Sequence, residues 1–478
     1  MCAVALAGCG FVGYASAEQA AELPPAPVAH VAPLKLPGGF VVEQARLDVL
    51  PLSLDEAIEL GLKHNLQIEL ARQNQRVVHG QVLTVENNLL PSLTASATSG
   101  AQEINLAAMG FKPASLGPLL EHFGLAPDQF QTIVKVKTTS AQLNLDQQLF
   151  NVPAYYLYRS AQKADRVASM TELNEEGGVT IGVGSQYLKA LADASEIEYA
   201  QSLEKADEVA LHQATESHDA GVGTNLDVLR ARVQLQTQQQ TVIRAENNFA
   251  KDKIELNRLM GLPANQALKL TDTAPYAEFA ELPLEDAKKL AFERRKDLLS
   301  LEAQVEVADR TRKAVKYERV PSLSFNGYYG VLGETTGLYH GVFAATGKLS
   351  VPIFEEGQLR GEREVADAQV MGLRQQIASL RVSIESQIRS AMLDVDSSAQ
   401  LVKVARSNVD LATEELQQAS DRFAAGVDDN LPVVQAQAEL ADAQSRLVET
   451  LYQYNQSKLT LARNTGVVES QYKVYLGQ

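Results

Sequence analysis

Seven histidines, His30, His64, His79, His122, His212, His218 and His340, are scattered over 478 residues. No H-E-x-x-H pair sets two of them on one helix face, and His212 and His218, six apart, fall on different faces. A serine nucleophile would need a G-x-S-x-G elbow, and none occurs. The glycine-dense run Gly177-Gly178-Val179-Thr180-Ile181-Gly182-Val183-Gly184 has no following Gly-Lys-Ser/Thr and no complete G-x-G-x-x-G, so it is not a phosphate loop. Both cysteines, Cys2 and Cys9, stand in the first ten residues, which leaves the body without a disulfide or a thiolate metal site. The carboxylates fall mostly on the solvated faces of expected helices. No catalytic, cofactor-binding or metal-binding set emerges, and the chain reads as something other than an enzyme.

The elements behind these residues come twice. Gly221-Val222-Gly223-Thr224-Asn225-Leu226-Asp227-Val228 opens a long polar-apolar segment, and 205 residues later Gly426-Val427-Asp428-Asp429-Asn430-Leu431-Pro432-Val433 does the same. Gly261-Leu262 and Gly466-Val467 close the two segments in the same register. Upstream, Leu52, Leu54, Ala57, Leu60, Pro91-Ser92-Leu93 and Gly100 return 230 residues on as Leu282, Leu284, Ala287, Leu290, Pro321-Ser322-Leu323 and Gly330. Order repeated in this way means one structural unit present twice, and so a pseudo-symmetric fold.

Composition fits long helices better than a thick globular core: Trp is absent and only 6% of residues are aromatic. A net charge of −16 argues against nucleic acid as a partner, because that surface is basic. Residues 2–14 are an apolar run, and Ala15-Ser16-Ala17 is an A-x-A cleavage pattern, so 1–17 reads as a secretory signal that lacks its basic flank. Leu6-Ala7-Gly8-Cys9 also fits a lipobox, in which Cys9 would carry a lipid anchor; both readings stand. No other stretch has the ~18–20 uninterrupted apolar residues of a spanning helix. Residues 18–51, rich in Pro and Gly, read as an extended lead-in. The first repeat is set at 52–275, the second at 276–467 and a C-terminal tail at 468–478.

The helices are expected to be very long. Ile388, Val395, Val402, Val409, Leu416 and Phe423 recur every seven residues, shadowed by Ala391, Ser398, Ala405, Ala412 and Ala419. Val433, Leu440, Leu447, Tyr454 and Leu461 continue the rhythm, and Val228, Leu235, Val242, Phe249 and Leu256 carry it in the first repeat. A heptad of large and small seam residues imposes close, left-handed supercoiling. A helix from about Ala154 to Asp219 would be roughly 100 Å long at 1.5 Å per residue. A glycine turn, with Thr224 or Asn225 capping the next helix, then reverses it. The run 177–184 is kept helical, although glycine costs ~1 kcal/mol each relative to Ala, because its counterpart at 382–389 has a clean helical pattern.

Between the helices the period falls to two. Leu93, Ala95 and Ala97 alternate with Thr94, Ser96 and Thr98; Ala141, Leu143 and Leu145 with Gln142, Asn144 and Asp146; Phe343, Ala345, Leu349 and Val351 with Thr346, Lys348 and Ser350. Strands of this kind have one apolar and one polar face, as in a lipid-facing barrel or a small soluble sheet. Four are too few to close a barrel alone. In the second repeat the strand connection is short, about Leu332 to Tyr339; in the first it spans about 101–137, an extra loop with room for a short helix.

With these motifs in order, the chain resembles the TolC-type outer-membrane efflux protein family over about residues 52–467. The resemblance rests on Leu52-Ser53-Leu54-Asp55-Glu56-Ala57 and Leu282-Pro283-Leu284-Glu285-Asp286-Ala287 opening the copies, on Leu89-Leu90-Pro91-Ser92-Leu93 before a strand, on Val351-Pro352-Ile353-Phe354-Glu355-Glu356-Gly357 after one, and on the two Gly-Val turns. It implies a mainly α fold with β: a duplicated strand and long-helix-hairpin repeat, four strands per chain to a trimeric, twelve-stranded outer-membrane barrel, and a periplasmic coiled-coil tunnel below. It implies as partners two further copies of the chain, outer-membrane lipid, a periplasmic adaptor and, through it, an inner-membrane pump. By position, Gly221, Val222, Asn225 and Leu226, with Gly426, Val427, Asn430 and Leu431, would meet the adaptor. Where some relatives place tip aspartates this chain has Pro432 and Gln435, and the acids Asp428 and Asp429 lie in the turn instead; repeated about a threefold axis they would repel each other and attract cations. The implied function is a passive exit duct for substrates expelled by the pump. The outer-membrane part of type I protein secretion, and a pore-free periplasmic structural coiled coil, are the alternatives.

Overall fold

Each half of the chain builds the same elements in the same order. The computed structural model describes residues 48–108, 122, 133–272, 276–279, 282–335, 337–428 and 431–476. The signal segment, Cys9, most of the lead-in and most of the 101–137 loop lie outside the described residues. In the first half β1 (Leu50–Leu52) leads to helices α1 (Leu54–His64) and α2 (Leu66–Asn87), strands β2 (Ser92–Asn105) and β3 (Ile133–Phe150), and helices α3 (Val152–Asp219) and α4 (Asn225–Leu259). In the second, β4 (Leu268–Leu270) precedes α5 (Leu284–Arg294), α6 (Lys296–Lys316), β5 (Ser322–Glu334), β6 (Tyr339–Ser350), α7 (Glu356–Ala424) and α8 (Leu431–Asn464), and α9 (Val468–Leu476) follows.

Local chemistry sets the boundaries. Ser53 and Glu56 form a capping box, each side chain accepting the other's backbone N–H at 3.3 and 2.8 Å, and start α1. Asn65 ends α1 in an extended conformation and caps α2 through Gln67 N at 2.8 Å. Asn151 caps α3, with Pro153 in the first turn, where its missing N–H removes no bond. The glycine run does not interrupt α3. Two of its glycines lie where other elements approach closely: a Cβ at Gly184 would sit 3.3 Å from Leu459 of α8, and one at Gly177 would overlap Glu469 of α9.

The heptad seam is buried as its spacing requires. Ile388, Val395 and Val402, with Ala391, Ser398, Ala405, Ala412 and Ala419, are buried along α7, and Val433, Leu440, Tyr454 and Leu461 along α8. The largest core gathers side chains of α1, α3, α4, α7, α8 and α9 and includes Tyr187, whose hydroxyl is 2.9 Å from both Leu52 O and Asp272 Oδ2. The segment read as a tail supplies α9 to this core: Leu476 is buried, and Tyr472 and Lys473 both reach Asp55 at 2.6 Å.

The four long strands form one antiparallel sheet in the order β2-β3-β5-β6. They run beyond the expected bounds. β2 and β3 stay paired out to Asn105 and Ile133, so the ladder takes up both ends of the 101–137 connection. In the other half β5 and β6 are joined across the short connection near Glu334 and Tyr339.

Candidate functional site

The register of the sheet aligns its side chains in rows across all four strands. On one face stand Leu93, Leu145, Gly327 and Ala345, then Ala95, Leu143, Tyr329 and Phe343, then Ala97, Ala141, Val331 and Gly341. On the other stand Thr94, Asn144, Tyr328 and Ala344, then Ser96, Gln142, Gly330 and Val342. Neighbours on the polar face are tied by side-chain hydrogen bonds: Asn144 Nδ2 donates to Ser96 at 3.0 Å, and Thr98 and Ser140 hydroxyls are 2.8 Å apart. Leu93, Tyr329 and Phe343 are exposed large apolar groups in this single chain. A face of this kind suits hydrocarbon, and its opposite suits water. Among the described residues no helix is long and apolar enough to cross a membrane.

At the far end of the long helices the two turns repeat each other. Gly221 and Gly426 take the left-handed conformation, φ +77° and +69°. Val222 N donates to Ser217 O, and Val427 N to Arg422 O, both at 3.0 Å, the pairing of a Schellman stop. Thr224 then caps α4, and its backbone N–H donates to Asp227 Oδ2 at 3.1 Å to complete the box. Val222 is 83% exposed and Val427 66%, and Asn225, Leu226 and Leu431 are exposed beside them. Asp428 is paired with Arg422, Nε to Oδ2 at 2.6 Å. Asp429 and Asn430 lie outside the described residues.

Residues 57–262 and 288–467 match the sequence model of the outer membrane efflux proteins. The chain belongs to the outer membrane efflux protein family. It is 21% identical over 378 residues to outer membrane protein TolC of Escherichia coli K12, covering 74% of this chain and 76% of that one. It is 25% identical over 340 residues to the alkaline protease secretion protein AprF of Pseudomonas aeruginosa, covering 68% and 69%. Its fold superposes on the CmeC outer membrane channel of Campylobacter jejuni with a TM-score of 0.72 at 15% identity, over 87% of this chain and 85% of that one. This outer membrane efflux protein is thus an exit duct whose place is the outer membrane, in a family of channels rather than enzymes. The mainly α, duplicated fold with a strand pair in each half is the one expected. A pore-free coiled coil would have no use for the apolar sheet face.

The helical seam of this efflux protein holds acids that sequence reasoning assigned to solvated faces. Asp207 of α3 and Asp252 of α4 are buried. Lys189 Nζ lies 2.7 Å from Asp252 Oδ1, while Asp252 Oδ2 has no hydrogen-bond partner. Burial, and then the Asp252 carboxyl beside it, push Asp193 up to about 7. Asp207 has neither oxygen hydrogen-bonded, and burial pushes it up to about 6. Lys458 of α8 is fully buried against the Tyr454 ring and the Ala277 carbonyl, and burial pulls it down to about 8. One signal marks the two α3 acids in the sequence: 205 residues on, their counterparts are Ser398 and Ala412, small seam residues.

Proposed function

We propose that three copies of the chain close their sheets into one twelve-stranded barrel, continued through the periplasm by the helix hairpins as a passive exit duct. One observation carries this reading: the sheet has an apolar face over the rows from Leu93 to Val331, with Lys137 and the Glu103–Lys135 ion pair beyond them, and two edges, β2 and β6, with no further strand beside them among the described residues. In hydrocarbon an open edge leaves backbone groups unpaired at several kcal/mol each, so the sheet must close. Four strands cannot close alone, since the smallest membrane barrels have about eight. Barrel strands of β2 and β6 from neighbouring copies pair in this reading. Native mass spectrometry of the detergent-purified protein tests it: three copies support it, and a monomer that stays inserted in bilayers overturns it.

The hairpin ends are the docking tip. Val222, Leu226, Val427 and Leu431 give an apolar surface, Gly221 and Gly426 set the turns, and Asn225 and Asn430 supply polar contacts to a periplasmic adaptor that links the duct to an inner-membrane pump. The pump provides the energy. Asp428 and Asp429, repeated three times about the axis, form a cation-attracting constriction in which Arg422 balances Asp428. The double substitution Asp428→Ala with Asp429→Ala should lower cation selectivity; unchanged selectivity removes the acids from the constriction.

The similarity to AprF, named for protease secretion, favours a second reading in which the duct serves type I protein export. A deletion strain separates the two: loss of tolerance to small toxic compounds supports efflux, and loss of a secreted protein supports export.

A further inference from the structure

Asp207 stands on the α3 seam where the other repeat has the buried Ala412. It is 2% exposed, and neither carboxylate oxygen has a hydrogen-bond partner. It faces a cavity of about 40 Å³ shared by four helices, with Gln234 of α4, Ser420 and Phe423 of α7, and Val433 and Gln437 of α8 on its walls. That volume holds a water molecule. Among the described residues no other titratable or charged side chain lines it from α3, α4, α7 or α8. Gln437 Oε1 is buried and also unpartnered.

The cavity lies where packing changes. On the barrel side of it, Leu203, Ala412, Leu440 and Ala443 form a cluster common to both hairpins. Toward the tip the hairpins cluster separately: Ala214, Val228 and Ala231 in the first, Ala419, Val433 and Ala436 in the second. An ionised carboxylate whose burial outweighs the one opposing amide, Gln234, in a seam that also holds an orphan amide oxygen, opposes closure. A protonated one supplies the missing donor, and Gln437 Oε1 is an acceptor in the same cavity.

We propose that Asp207 is a proton-binding site that couples acidity to the packing of the two hairpins: protonated, it tightens the seam above the tip, and ionised, it loosens it. Burial raises the carboxyl from its ordinary 3.8 to about 6 when the seam is closed, against a weaker opposite pull from Gln234. The closed seam therefore binds the proton more strongly than an open one. Its added tightness is complete below about pH 3.8 and is lost as pH rises through about 6. A difference of about two units corresponds to up to about a hundredfold in the closed-to-open ratio. At neutral pH the hairpins hold an ionised acid between them at the level where they cease to share a core. That this eases opening of a tunnel end rests on the duct reading; the coupling itself does not.

Hydrogen exchange on the full-length protein in detergent, corrected for intrinsic exchange at each pH, reads the seam at 203–214 and 433–443. From pH 7.5 to 4.5 wild-type protection should rise by tenfold or more. Asp207→Asn should show, at pH 7.5, the protection that the wild type reaches at pH 4.5, and no pH response between them. Asp207→Ala, which removes the charge and matches the residue type of the other repeat, should also be flat and replaces Asp207→Asn if that variant does not fold. A wild type without the response, or variants that keep it, overturns the proposal. Failure of the duct reading shows separately, as an absence of conductance with the seam response intact.

Discussion

Gly261 and Gly466, 205 residues apart, take the same left-handed conformation, φ +71° and +74°, and each presses on the break between two short helices. Gly261 meets the His64 carbonyl at the end of α1, and a Cβ on Gly466 would lie 2.8 Å from Arg295 N at the end of α5. The tip glycines Gly221 and Gly426 share the conformation but face open space. Alanine at a tip glycine should therefore cost about 1–2 kcal/mol, the steric strain alone. Alanine at Gly261 or Gly466 should cost more, because backbone must also move. Denaturant unfolding of the four variants checks the order; equal losses at all four positions would contradict it.

Thr224 holds the first tip turn through its hydroxyl and Asp227. Thr224→Ala should cost about 1 kcal/mol, and Thr224→Ser a small part of that. Hydrogen exchange over the first turn of α4 would report the difference.

Asp193 gives a pH dependence of known sign. Its folded value, about 7, is above the ordinary 3.8, so the stability tied to its protonated form is complete below about pH 3.8 and lost as pH rises through about 7. Asp193→Ser, the residue type of its counterpart Ser398, should flatten the stability profile over that window and raise stability at pH 8. Melting temperatures across pH 4 to 8 test this, and a variant that is less stable at pH 8 would sink it.

The two faces of the sheet should respond oppositely to charge. Phe343→Arg puts a cation on the apolar face and should cost about 2–4 kcal/mol if at mid-membrane, seen as loss of folded protein in the membrane. Gln142→Arg, on the polar face, should be tolerated.

Much of this architecture was legible because seams and strands write their period into the sequence. Ile388 to Phe423 announced a helix, and Leu93 to Thr98 a strand, with no tertiary information needed. The glycine run 177–184 reads as helix from its counterpart, and close approach of α8 and α9 gives Gly177 and Gly184 a packing reason, while Gly178 and Gly182 face open space. The break at Asn65 is not legible, since α1 and α2 continue one apolar pattern and only the extended backbone at the cap separates them. The burial of Asp207 and Asp252 is hidden in the sequence because a carboxylate on a polar helix reads as solvated until its facing helices are known. The C-terminal helix is hidden in the sequence because nine residues are too few to show a period.

In the duct reading, copies of this chain close around a conducting path. Single-channel recording of the detergent-purified protein in planar bilayers tests it most directly, with the wild type beside a variant shortened by matched heptads at both tips. Discrete, long-lived conductance steps are expected, larger or more frequent in the shortened variant. Inserted protein that stays silent in both forms would contradict it.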